Sequence, residues 1–125
     1  DFNERSGLRA SFSSPDSVPP LAPDADLALF RALQEALSNV TRHAGGQEVA
    51  VTMSVENGQL AITVRDDGKG FPVSRDGRVK ENEGRMGLTG MRERMLAVNG
   101  TVSLRNAAPG AEVTLRLPIL AGLPT

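Results

Sequence analysis

At 125 residues, with 39% hydrophobic and 23% charged positions, the chain has the make-up of one ordinary globular domain with room for a single core. A formal net charge of −1, an aromatic share of 3%, a single His and no Cys argue against a nucleic-acid surface, a disulfide framework and a thiolate or His-rich metal centre. No apolar run approaches the ~18 residues that a membrane span needs.

The opening DFNERSG has no secretory pattern and no Met, and the whole reads as a cytoplasmic segment of a longer protein, whether or not that protein is anchored in a membrane. Gly7 to Ser14 alternates weakly, as an edge strand does. Pro15 to Pro23 holds four prolines and reads as a loop. Asp24 then suits the N-cap of a helix that Gly45-Gly46 ends. On that helix Leu33, Leu37, Val40 and Ala44 share one stripe, and Glu35, Asn39 and Arg42 cluster opposite. Val49, Val51, Met53 and Val55 alternate into a strand, Asn57-Gly58 turns it, and Leu60, Ile62 and Val64 return.

Asp66-Asp67-Gly68-Lys69-Gly70-Phe71 follows directly. Pro72 to Met86 is charged, nearly devoid of apolar residues, and expected to be mobile. Met91, Met95 and Val98 mark a second helix, with Gly100 at its C′ position. Val102 and Leu104 begin a strand, Asn106 to Gly110 turns it, and Val113, Leu115 and Leu117 return. The order predicts a two-layer α+β sandwich with a mostly antiparallel sheet.

Several of these residues have a chemistry to offer. Asp66 shares strand parity with Leu60, Ile62 and Val64, so its carboxylate points at the helix layer and needs a donor there. The exocyclic amine of adenine supplies one, and guanine does not. A strand-end turn in which Asp-Asp-Gly only reverses the chain fits the same residues. Gly68 and Gly70 let backbone approach a flat ligand, with Phe71 beside it, although a plain loop has glycines at this spacing too. Gly84, Gly87 and Gly90 precede the second helix, and such an entry offers N–H groups to phosphates or serves as a hinge.

Asn39 has a hard neutral oxygen suited to Mg²⁺ that also holds phosphate oxygens and waters. Glu35, one turn earlier, would orient a metal-bound water or take a proton, and Arg42 would neutralise phosphate. The same stripe also describes a solvated helix face. His43 is either a phosphate contact, a proton carrier or a partner of the helix dipole.

In order, these pieces resemble the ATP-binding domain of a sensor histidine kinase of the nitrate-sensor-like class, within the gyrase, heat-shock chaperone and histidine kinase ATPase superfamily. FRALQEALSNVTRHA resembles the N box, DDGKGF the G1 box, GLTGMRERM the G2 region and GAEVTLRLP the closing strand. The resemblance implies a sheet covered on one face by helices, ATP between the N-box helix and a lid, Mg²⁺ at Asn39, and γ-phosphoryl transfer to a histidine. It implies phosphate contacts near Gly87 and Leu88, and Thr114 lining the adenine end. The family has Gly-x-Gly-Leu where this chain has Arg85-Met86-Gly87-Leu88, so Arg85 either reaches a phosphate or loosens the lid.

The acceptor histidine belongs to a separate dimerisation domain, and a receiver domain takes the phosphate from it. His43 lies inside the N box, so the segment is expected to be unable to phosphorylate itself, and since the family dimerises through the separate domain, the segment is expected to be monomeric. An anti-sigma-factor serine kinase and a degenerate nucleotide-binding module are the alternatives.

Overall fold

A computed structural model describes residues 9–41, 45–76, 78–79, 88–107 and 109–119. The alternating stretches form strands β1 (Arg9–Ser13), β2 (Glu48–Glu56), β3 (Gln59–Asp66), β4 (Thr101–Asn106) and β5 (Ala111–Pro118). Helix α1 (Pro23–Asn39) lies between β1 and β2 in the chain, and α2 (Leu88–Leu96) between β3 and β4. The strands join in the order β1-β2-β3-β5-β4, parallel between β1 and β2 and antiparallel elsewhere. Val49, Val51, Leu60, Ile62, Val64, Val113, Leu115 and Leu117 are buried in one core with the two helices. Thr52, Arg65, Ser103 and Arg105, at the alternate positions, are exposed. The two-layer α+β sandwich is the expected one.

The β2–β3 hairpin closes as Asn-Gly dictates. Asn57 (φ 52°) and Gly58 (φ 75°) both take left-handed backbone, the pairing whose twist matches that of the flanking strands.

The first helix differs from expectation in three ways. Ala22, not Asp24, is its N-cap, with no side-chain bond, and Pro23 starts it. Asp24 sits with Asp26 in the first turn, where both complement the positive end of the dipole. Its buried line is Ala25, Ala28, Ala32, Ala36 and Asn39, while Leu33 and Leu37 are only partly buried. At roughly 100° per residue the alanines lie between the leucine stripe and the Glu35/Asn39 stripe. Small side chains let the helix axis approach α2 and β5, and the leucines cover the flank. The regular helix also ends at Asn39, and Val40 and Thr41 continue as a looser, π-type turn before Gly45 (φ 71°). Residues 42–44, with Arg42, His43 and Ala44, lie outside the described residues.

Helix α2 buries Leu88, Met91 and Met95. Arg92, from the Gly-Met-Arg-Glu-Arg run, donates from Nη1 to Val102 O at 2.5 Å and so fastens the helix to β4. The helix closes with a Schellman motif: Gly100 N donates to Met95 O (2.7 Å) and Asn99 N to Leu96 O (3.0 Å). The left-handed C′ residue is therefore Asn99 (φ 63°), and Gly100 follows it. Gly100 is needed for space: a Cβ there would lie 2.8 Å from Arg116 O and 2.9 Å from Met95 Cε. Gly100→Ala is expected to cost about 1–3 kcal/mol, because backbone must shift to admit the methyl. Urea unfolding measures it, and an unchanged midpoint would refute the packing argument.

Part of the segment expected to be mobile is a defined turn. Val73 bridges Val79, Ser74 N donates to Arg78 O (2.8 Å), and Asp76 accepts from the Ser74 hydroxyl and from Arg78 N (3.1 Å). Short-range side-chain bonds supply here what apolar burial does not. Residues 80–87 lie outside the described residues.

Candidate functional site

Asp66 ends β3 on its core-facing side, 4% exposed, as its parity with Leu60, Ile62 and Val64 requires. Its ladder partner on β2 is Val49. Among the described residues the one hydrogen bond to its carboxylate comes from Gly68 N, at 2.8 Å to Oδ1. Asp67, pointing the other way, binds the turn to the start of β2. Its Oδ1 accepts Gln47 N (2.8 Å) and Glu48 N (2.9 Å). Two glycines make the fit possible. A Cβ on Gly46 would collide with Asp67 Oδ1 and stand 2.7 Å from Gly68 N, and one on Gly110 (φ 98°) would strike Asp66 O.

The Glu48 and Gln47 N–H groups hold the Asp67 carboxyl below its ordinary value of 3.8. A depressed native value means that the ionised form stabilises the fold above the unfolded pKa. That contribution is lost as pH falls through the native value. Asp67→Asn is therefore expected to lower the melting temperature at pH 7 and to converge on the unsubstituted chain by pH ~2–3. Parallel melting curves across this range check it. A constant gap would contradict the assignment.

Asn39 is 5% exposed and faces inward from the last turn of α1, with Glu35 partly buried one turn earlier. The segment after α1 returns to the sheet at Gly46–Glu48, which is bonded to the Asp66–Gly68 turn. The carboxylate and the amide are buried polar groups at the ends of β3 and α1. Leu88, buried, opens α2, and two residues on a Cβ at Gly90 would meet nothing within 4 Å. Gly70 takes φ 81°, and Phe71 is buried in the core.

Strand parity puts Thr114 on the other face of the sheet from Asp66. It pairs with Thr63, its Oγ1 3.3 Å from the Thr63 Oγ1, and Val113, the partner of Val64, stands on the Asp66 side. A threonine one position from Val113 points away from the helices, so the expected contact with adenine does not fit the register. Arg42, His43, Arg85 and Gly87 lie outside the described residues. A cavity of about 280 Å³ beside the turn is lined by Arg9, Ser11, Glu48, Arg65, Asp66 and Asp67 among others, and Arg65 belongs to the other face of β3 from Asp66. That is the face turned from Asn39.

The sequence reading missed three residues that shape the turn: Asp67 as its brace, Gly110 as its close neighbour, and Asn106. The last donates from Nδ2 to Phe71 O (3.0 Å) and accepts Phe71 N at Oδ1 (2.6 Å). All three act across long sequence separations, so local pattern gave no sign of them.

A family model described as histidine kinase-, DNA gyrase B- and HSP90-like ATPase matches residues 24–121. The chain belongs to this family. Its relatives include the sensor histidine kinase MctS of Rhizobium johnstonii, 34% identical over 98% of this chain and 26% of that protein. The histidine-protein kinase/phosphatase DegS of Brevibacillus brevis is 29% identical over 94% of this chain and 30% of its own length. The chain thus spans roughly a quarter to a third of these relatives. Among solved structures, the histidine kinase domain of a blue-light-activated kinase from Erythrobacter litoralis superposes with a TM-score of 0.76 and 25% identity. That match covers 94% of this chain and 56% of the other.

Proposed function

We propose that this family member is the catalytic domain of a two-component sensor kinase, binding Mg-ATP and donating the γ-phosphoryl group to a histidine on a separate dimerisation domain. The single observation behind this reading is that two polar side chains are buried, Asp66 at the end of β3 and Asn39 at the end of α1. Asp66 would accept the exocyclic amine of adenine while Gly68 N–H orients its other oxygen, and Gly68 and Gly70 would let the base lie against backbone.

The donor set also fits a metal of the proposed kind. Among the described residues no three His, Cys, Asp or Glu come together. Mg²⁺ here would be held by one amide oxygen, phosphates and water, an arrangement this ion favours. When bound, it would neutralise charge on the transferring phosphoryl group. Glu35 would orient the acceptor imidazole or a water. Arg42, His43, Arg85, Gly87 and Leu88 would make the phosphate end with the free N–H groups of α2. A receiver domain would take the phosphate onward, and the isolated domain, monomeric and cytoplasmic in this reading, would not label itself.

The test supplies the acceptor-histidine domain of the same kinase in trans with γ-labelled ATP. Acid-labile phosphate on that domain, and none on this one, is expected. Label on a serine of a separate protein would favour the serine-kinase branch of the fold. No transfer with tight ATP binding would favour a binding module.

A further inference from the structure

We propose that Asn106 is a positioning residue for the adenine end of the site: its amide, at the last residue of β4, sets the backbone of Phe71 and through it the turn from Asp66 to Gly70. The inference rests on the nucleotide reading above. It names a residue that no motif of the sequence includes.

The geometry is that of a side chain standing in for a strand. Asn106 Oδ1 accepts Phe71 N (2.6 Å) and Nδ2 donates to Phe71 O (3.0 Å), so one amide meets both polar groups of one residue's backbone. The residue before, Gly70, has φ 81°, and a Cβ there would lie 2.7 Å from Asn106 Oδ1 and 3.0 Å from Gly110 O. The amide is therefore pressed against a stretch that only glycine backbone fits.

Between the end of β3 at Asp66 and this clamp lie Asp67, Gly68, Lys69 and Gly70. Asp67 is tied to β2, which leaves the Gly68–Gly70 span held at one end by Asp67 and at the other by Asn106. Two glycines in so short a span have much backbone freedom to lose, and fixing its ends removes part of it. The buried Phe71 ring determines where that residue sits. The amide determines how its peptide planes are turned, and so the level of the Gly70 backbone and the aim of Gly68 N–H on Asp66 Oδ1 (2.8 Å). A base lying over this backbone and reaching Asp66 needs both.

The experiment titrates the whole chain with ADP and GDP by calorimetry and records the unliganded melting temperature of each variant. Asn106→Ala is expected to weaken ADP about tenfold, the worth of one to two lost hydrogen bonds, and to bring the ADP/GDP ratio toward one. Asn106→Asp gives a second reading that needs no comparison of folds. Ionised, its carboxylate accepts Phe71 N–H but faces Phe71 O without a proton. At this exposed position the carboxyl stays ionised from pH 5 to 8, so the donor to Phe71 O is missing throughout. Around it, Arg105 pairs with Glu112 at 2.7 Å and Asp67 takes the Gln47 and Glu48 N–H groups, so these charges are already engaged.

ADP affinity of Asn106→Asp, taken relative to the unsubstituted chain at each pH, is expected to stay as low as that of Asn106→Ala from pH 8 to 5. A lower melting temperature with unchanged ADP affinity and unchanged ADP/GDP ratio would overturn the proposal and leave Asn106 a brace of the fold. An unsubstituted chain that binds neither nucleotide would instead remove the nucleotide reading, and this inference with it.

Discussion

Asp66→Asn is expected to weaken ATP about 10–100-fold and to erase the preference for ATP over GTP, because a buried acid that reads an amine is replaced by an amide that serves either base. The magnitude follows from the surroundings. A carboxylate at 4% exposure accepts a stronger bond from an N–H donor than an exposed one does, and a base without that donor leaves it unpaired. The substitution keeps the shape and keeps an oxygen for Gly68 N–H, so the fold should survive. Competition titrations of both nucleotides check it. Equal losses for ATP and GTP, or no loss for either, would place the base elsewhere.

The second large effect is at Asn39. Asn39→Ala is expected to lower the rate of phosphoryl transfer to an acceptor domain on the order of 10²–10³-fold, the scale of removing one group that stabilises transition-state charge. Binding of metal-free ADP should change far less, since the amide would act through the metal and not through the base. Transfer assays beside ADP titrations in chelator separate the two. If metal-free ADP binding falls as steeply as transfer, Asn39 shapes the pocket and holds no ion.

Much of the fold was legible because local rules and burial agree. The alternation Leu60, Ile62, Val64, Asp66 forces the carboxylate inward whatever lies above the sheet, and Asn57-Gly58 admits one kind of hairpin. The α1 core line was read less well. Leucines dominate any count of hydrophobicity, and Leu33 and Leu37 do pack against the core with Val40 buried beyond them. Yet the most buried line of the helix is alanines, set by its close approach and not by their own apolar weight. Pro23 at the first helical position likewise displaced the start that Asp24 suggested.

The site divides along the same line. Asp66 and the glycines of the turn announce themselves, because a polar residue in an apolar alternation or a missing Cβ breaks a local pattern. Asn39, by contrast, reads as one of a polar stripe, and its burial is seen only in the structure. Thr114 was carried by resemblance alone, and one step of strand parity moves it to the other face. Asn106, Asp67 and Gly110 were invisible for a different reason. Each is defined by what it touches 19 to 44 positions away, such as Phe71 for Asn106 and Gln47 and Glu48 for Asp67. No periodicity encodes such contacts, and they are the ones that hold the turn in the shape a base would meet.

The most direct measurement is a crystal structure of the chain with a non-hydrolysable ATP analogue and Mg²⁺. The base amine should lie at hydrogen-bond distance, about 2.8–3.1 Å, from an Asp66 carboxylate oxygen, with the Asn39 oxygen among the ligands of the ion. An analogue bound on the Arg65 face of the sheet, or a base with no contact to Asp66, would contradict the account.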